Sequence, residues 1–364
     1  MTKEDRVVWL SDISKKDTDI AGGKGANLGE MHSMKLPVPQ AFVVTTNAFH
    51  YFLEKTGLEE RIKSLLAKIS VDDTDDLSKK AKQIRQIIEE AELPEDLQEE
   101  IKEAYDHFNV DLKALKDAPD AMAIMKSARE PVFVSVRSSA TAEDLAGASF
   151  AGQQDTFINI KGNDDLLEKI KKVFSSIFTP RSIYYRKKKG FESFVGIAAI
   201  VQRMVNSDKS GVMFSKNPTQ EDEHVLIEAV FGQGEGIVSG KIKPDQYIVN
   251  HDLEIVSEKI AYKKLAIVRD AGGRTKSVKL SEDKGKQRVL KTYEIKQLAE
   301  YALKLEEHYK APKDIEFAIE NEDIYILQTR AITTLKDKRE VEDIEGEELL
   351  EGQAASPGIG SGPV

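Results

Sequence analysis

Three groups of residues in the sequence have types and spacings suited to holding a polyanion. Lys24 sits inside the run Gly22-Gly23-Lys24-Gly25, which opens into a helix-forming stretch. Glycines let a backbone approach an anion closely, a helix start adds partial positive charge, and a lysine there reaches phosphate. The same residues also fit a plain glycine turn with an exposed lysine, and the spacing is not that of a G-x-x-x-x-G-K-[ST] loop. Arg137 closes an apolar strand in VRSSATAED. A guanidinium in that position needs an anionic partner, either a bound anion or a carboxylate such as Glu143 or Asp144. The third group lies in two runs, DIEFAIEN and DIYILQTR, which pattern as a β-hairpin turning near Glu322. Side chains alternate along a strand, so Asp314, Glu316 and Ala318 share one face of the first strand, Ile326, Gln328 and Arg330 share one face of the second, and Glu316 and Gln328 can lie side by side on one surface. Glu316 beside Gln328 would offer hard oxygens to Mg²⁺, which completes its shell with phosphate oxygens, and Arg330 would suit the same phosphates. A solvated polar face of an edge hairpin is the competing reading.

Other motifs carry less. GQGEG (232–236) has the look of a dinucleotide loop, but no βαβ unit surrounds it, so that reading is rejected. RKKKG (186–190) reads as a solvated helix end. The six histidines show no metal-ligand spacing, and the absence of cysteine excludes disulfides, thiolate metal sites and a cysteine nucleophile from this chain. A formal charge of −10 over 364 residues does not favour nucleic acid or an anionic membrane face. No apolar run approaches the ~20 residues of a membrane span, and MTKEDRVVWL has no apolar signal core. The expected location is cytoplasmic.

The elements that must position these groups are mixed. A strand over 7–10 precedes the glycine loop, and 36–45 hold two prolines and a buried strand, with Thr45, Thr46 and Asn47 able to cap the next helix. Residues 51–110 are rich in carboxylates, with apolar residues at helical spacing (Ile62, Leu65, Leu66, Ile69; Ile84, Ile87, Ile88, Ala91), and predict three or four helices broken near 71–76 and at Pro94. Two helices are predicted in 164–188, strands at 197–205, 210–218 and 225–230, further strands in QYIVN and EIVSEKIAY, and a helix over 292–308. KDKREVEDIEGEE (336–348) has linker composition.

Taken together, these segments resemble the N-terminal ATP-binding region of the phosphoenolpyruvate synthase (pyruvate, water dikinase) family, which is related to pyruvate phosphate dikinase and rifampin phosphotransferase. The resemblance rests on GGKGANLGEM, PVPQAFVVTT, SVRSSATAEDLAGASFAGQQDTFINI, TPRSIYYR, VQRMV, SGVMFSKNP, FGQGEGIVSG, DIEFAI and ILQTR, in that order. It covers essentially the whole chain and is weakest over 51–130. Gln233 stands where the family commonly has an apolar residue.

The resemblance implies an α+β ATP-grasp fold, two lobes with ATP between them. The first lobe would span 1–200 with a helical insertion at about 51–130, and the second 201–335. Residues 336–364 would be a linker and the start of a truncated swivelling phosphohistidine domain. Lys24 and Arg137 match family residues on the ATP phosphates, and Gly152 and Thr156 match nucleotide-contacting positions. Gln202, Met204 and Val205 match the adenine strand. Glu316 and Gln328 match the Mg²⁺-facing pair, and Arg330 the phosphate arginine. Lys24, Arg137, Arg330 and Mg²⁺ would supply about five positive charges to a polyphosphate undergoing transfer. The implied activity passes phosphoryl groups from Mg-ATP to a carrier histidine, then to pyruvate, with release of AMP and phosphate. The implied partners are a swivelling phosphohistidine domain and a pyruvate-binding barrel, in the same or a companion chain. None of the six histidines stands in the Thr-Ser-His context of the family's carrier. A rifampin-type antibiotic phosphotransferase, or a regulatory module that binds nucleotide without transfer, are the alternatives.

Overall fold

The computed structural model describes residues 5–108, 131–141, 156–188, 196–218, 223–270 and 272–332. Two compact units divide the chain, and both are discontinuous. The first gathers 1–207, 268–276 and 319–328; the second gathers 208–267, 277–318 and 329–364. Both mix helix with sheet, so the fold class is α+β.

The first unit is built on an antiparallel sheet. Its strands, in spatial order, are β1 (Val7–Trp9), β2 (Ala41–Val44), β5 (Ile197–Arg203), β3 (Val134–Ala140) and β4 (Thr156–Ile160). Alternation decides what each face does. Phe42 and Val44, Val134 and Val136, and Ala199 and Val201 turn one way and join the main apolar core. Ser135, Arg137 and Ser139 of β3 turn the other way, toward helix α1 (Thr18–Ser33), which packs on β3 and β5.

The apolar face is covered by helices. Residues 46–107 form α2 (Thr46–Lys55), α3 (Leu58–Ala67), α4 (Thr74–Glu90) and α5 (Glu95–His107). The breaks between them have local causes. Thr45 caps α2 by accepting from the Ala48 N–H at 3.3 Å. Gly57 takes a left-handed conformation (φ 66°) between α2 and α3. Asp73 accepts from the Asp75 and Asp76 N–H groups at 3.0 Å, and Pro94 precedes α5. Helices α6 (Asn163–Ser176) and α7 (Pro180–Lys188) follow β4. Leu166, Ile170, Val173 and Phe174 of α6 are fully buried, and such side chains contribute about 1.5–3 kcal/mol each. Phe174 meets Phe49 with ring centroids 5.2 Å apart.

The second unit supplies most of a six-stranded sheet, of which residues 319–328 are counted with the first unit. It is ordered β13 (Asp323–Ala331), β12 (Lys313–Glu320), β6 (Lys209–Phe214), β7 (Val225–Phe231), β8 (Asp245–Val249) and β9 (Ile255–Lys259). Strands β6 to β9 pair antiparallel. β7 is therefore antiparallel to both neighbours, and the glycine loop after it leads into only a four-residue helix, α8 (Glu235–Val238). That is incompatible with a βαβ dinucleotide unit. A two-stranded ribbon, β10 (Leu265–Arg269) and β11 (Thr275–Lys279), precedes the short α9 (Glu282–Lys286) and the long α10 (Thr292–Tyr309). Ile295, Leu298, Ala299, Ala302 and Leu305 of α10 are wholly buried against the sheet. Beneath this helix lies a fully buried ion pair of Lys263 with Asp245. Asp245 also accepts from the Ala261 N–H (2.9 Å), the Val289 N–H (2.8 Å) and the Tyr247 hydroxyl (3.1 Å).

Candidate functional site

The glycine run lies within α1 but breaks it. Gly22 has φ 69° and ψ 173°, outside helical space, so the helix restarts after it. The reason is its closeness to β3: a Cβ on Gly22 would lie 2.2 Å from the Ser139 carbonyl oxygen and 2.3 Å from Ser139 Oγ. The Gly25 N–H donates to the same Oγ at 3.0 Å. Lys24 Nζ donates to the Ser138 carbonyl at 3.1 Å. The glycines thus dock the loop on the end of β3 and bring the Lys24 ammonium to the residue after Arg137.

Arg137 is half-buried and splayed across oxygens. Its Nη1 donates to Gln202 Oε1 (3.4 Å) and to the Leu327 carbonyl (3.3 Å), and its Nη2 donates to Gln328 Oε1. All of these groups belong to the first unit. Thr156 is the direct cross-strand partner of Arg137, so the two share a face. Gln202 is 3% exposed, and its Nε2 is buried with no hydrogen-bond partner among the described residues. A buried amide donor left unmatched costs free energy that a ligand acceptor would recover. Lys24, Arg137, Thr156, Gln202 and Gln328 therefore gather in one region of the first unit. Gly152, and the carboxylates Glu143 and Asp144 weighed as partners for Arg137, lie outside the described residues.

Beyond β5, the Met204 N–H donates to the Phe133 carbonyl at 2.9 Å, and Val205 is buried. The other expected groups, Glu316 and Arg330, belong to the second unit. Glu316 is half-buried on β12. Arg330 is exposed and holds Asp314 through two contacts to Oδ2, Nε at 2.7 Å and Nη2 at 2.6 Å. Among the described residues no three carboxylate or imidazole groups cluster around a common metal position. Glu316 and Gln328 each carry a hard oxygen of the kind Mg²⁺ takes as a ligand.

Two groups escaped sequence reasoning. Ser139 is one: its hydroxyl accepts from the Gly25 N–H, and its carbonyl leaves no room for a side chain at Gly22. Arg269 is the other, with its guanidinium 4.5 Å over the Phe133 ring and Nη1 buried without a hydrogen-bond partner among the described residues. Burial holds the Arg269 pKa below the usual arginine value. Its signal was available, since it closes the apolar run LAIVR; Arg137, expected at the end of its strand, lies instead midway along β3, which continues to Ala140.

A cationic loop docked on an arginine fork, with an unmatched amide donor beside it, is an arrangement for holding an anionic ligand. Residues 18–349 match the family described as "Pyruvate phosphate dikinase, AMP/ATP-binding domain". The chain belongs to that family. Among its relatives it is 49% identical to a probable phosphoenolpyruvate synthase of Methanocaldococcus jannaschii, over 98% of this chain and 30% of that protein. It is 46% identical to a probable phosphoenolpyruvate synthase of Archaeoglobus fulgidus, over 98% of this chain and 46% of that protein. A rifampicin phosphotransferase of Bacillus cereus is 38% identical over 93% of this chain and 37% of that protein. The chain thus spans less than half the length of these relatives. No helix among the described residues is long and apolar enough to cross a membrane.

Proposed function

We propose that this chain is the ATP-binding portion of a phosphoenolpyruvate synthase, folded as an ATP-grasp domain, and that it holds Mg-ATP for transfer of phosphoryl groups to a carrier histidine on a swivelling domain. Pyruvate, on a separate barrel, would be the final acceptor. The observation that carries the reading is the convergence of Lys24 and the Arg137 fork beside the unmatched Gln202 amide. Relatives named phosphoenolpyruvate synthase at 46% and 49% identity favour that activity over the rifampicin enzyme at 38%.

In this reading each group has a separate task. Gln202 Nε2 donates to the adenine ring, with Met204 and Val205 flanking the base and Gly152 and Thr156 at nucleotide-contacting positions. Lys24, Arg137 and Arg330 meet the phosphate oxygens, positioning them and neutralising charge that shifts during transfer. For Arg137 this requires giving up its bond to Gln328 Oε1, which frees that oxygen to face Mg²⁺ together with Glu316. Arg330 would likewise exchange Asp314 for phosphate. Bound Mg²⁺ would supply the remaining charge neutralisation at the phosphates.

The test is a thermal-shift titration with Mg-ATP, since a ligand that binds only the folded state raises the melting temperature by mass action. Glu316→Ala and Gln328→Ala should weaken binding in Mg²⁺ more than in EDTA, whereas Lys24→Ala and Arg330→Ala should weaken it in both. No shift at millimolar nucleotide, with the protein folded, would overturn the reading. AMP formation that requires an added carrier-histidine domain would separate a transferring domain from a nucleotide sensor.

A further inference from the structure

A second basic site lies wholly within the second unit, apart from every residue assigned above to ATP. A solvent-open cavity of about 490 Å³ is lined by Lys209, Lys284, Arg288 and Lys291 over an apolar floor that includes Phe231 and Leu290. Four of its lining side chains are cations and none is a carboxylate. Two of the cations are tied to neighbouring groups. Lys209 is fixed by buried Glu294 at 2.7 Å, and Arg288 by Glu258 at 2.7 Å and Thr292 Oγ1 at 3.2 Å. Lys284 Nζ stands 4.1 Å from the Phe231 ring centroid, and Lys263, tied to Asp245, lies 5.6 Å from it. The first turn of the eighteen-residue α10 begins at Thr292 on the cavity wall and is capped from within by Glu294, whose Oε2 accepts from the Lys291 N–H at 2.6 Å.

Cations gathered around a concavity raise the local concentration of anions. The volume falls within the roughly 300–1,000 Å³ typical of small-molecule sites and exceeds what a bare phosphate fills. Phe231, Val289 and Leu290 line the cavity, so its floor is apolar where its rim is cationic. We propose that this cavity is a second anion site, taking a small organic phosphate whose dianionic head rests among Lys284, Arg288 and Lys291 and whose compact apolar part packs on the apolar lining beside Phe231.

The probes are phenyl phosphate and inorganic phosphate, titrated into the chain and followed by ³¹P NMR, with and without saturating Mg-ATP. Phenyl phosphate is expected to saturate below about 10 mM and to bind roughly tenfold more tightly than inorganic phosphate, because only it covers the floor. Binding should persist in Lys24→Ala and with Mg-ATP present. It should fall at least about tenfold in Lys284→Glu and in Lys291→Glu, where an exposed cation is reversed. Both variants should retain the wild-type melting temperature and Mg-ATP affinity. Three results would overturn the proposal: no saturation by 10 mM, equal affinity for the two probes, or binding lost in Lys24→Ala and kept in the glutamate variants. The last would assign the phosphate to the nucleotide region instead.

Discussion

Replacing Gly22 with alanine tests whether the turn beneath Lys24 depends on the missing side chain. At φ 69° and ψ 173° the residue sits where side-chain-bearing residues rarely go. The added Cβ would lie 2.2 Å from the Ser139 carbonyl oxygen, whereas ordinary contacts begin near 3.5 Å. Backbone strain of this kind costs about 1–3 kcal/mol, and relieving the overlap pushes the total to about 3 kcal/mol or more. For a unit of this size each kcal/mol lowers the melting temperature by about 2–4 °C, so a fall of roughly 6–12 °C is expected. Gly57→Ala is the control. It also has positive φ (66°), but nothing lies within 4 Å of the new Cβ, so only the left-handed strain of about 1 kcal/mol remains. Calorimetric melts of the two variants separate strain from collision. Because Ser138 and Ser139 follow Arg137 directly, Gly22→Ala should also weaken Mg-ATP binding, and Gly57→Ala should not. A Gly22→Ala protein that melts no lower than Gly57→Ala and binds normally would refute the argument.

Asp245→Asn should destabilise by about 3–5 kcal/mol in urea titration, because it leaves the Lys263 ammonium buried without its counter-charge; a loss below about 1 kcal/mol would contradict this. Asp96 is held at a pKa of about 2, well under the ordinary 3.8, by the Tyr51 hydroxyl first and Arg6 second. A depressed carboxylate contributes stability that is present above about pH 4 and lost as pH falls toward 2, so Asp96→Asn should flatten the melting-temperature profile across that window. Arg137→Lys keeps the charge but cannot span Gln202, Leu327 and Gln328 together, so Mg-ATP binding measured by calorimetry should weaken despite conserved charge.

What the sequence made legible follows periodicity and punctuation. The closing hairpin was readable because two alternating runs flank Asn321 and Glu322, which both take positive φ (50° and 74°), as a two-residue hairpin turn requires. The helix expected over 292–308 ends one residue later, at Tyr309, where Lys310 turns left-handed. The ribbon β10–β11 was not anticipated. Its second strand, TKSVK, is mostly exposed and has little apolar alternation to signal it. The strand expected over 7–10 stops at Trp9, and Leu10–Asp12 form a 3₁₀ turn instead. At the candidate site the cations were identifiable from their glycine and strand contexts. Their partners were not. The acceptors of Arg137 lie 65 to 191 residues away in sequence, and two of the contacts are made by backbone carbonyls of Ser138 and Leu327, groups that every residue carries.

The interleaved course of the chain bears on when the site comes into being. The backbone passes from one unit to the other at 207, 267, 276, 318 and 328, so neither unit is a contiguous stretch. A fragment ending at Ser207 would contain Lys24, Arg137 and Gln202 but not Leu327 or Gln328, so the guanidinium would lack both of those acceptors. On the ribosome the same gap is a delay. The Leu327 carbonyl is 190 residues downstream of Arg137, which at about 5–20 residues per second is roughly 10–40 s of synthesis. During that interval Arg137 lacks its Leu327 and Gln328 acceptors, and nucleotide affinity is expected to arrive late in translation.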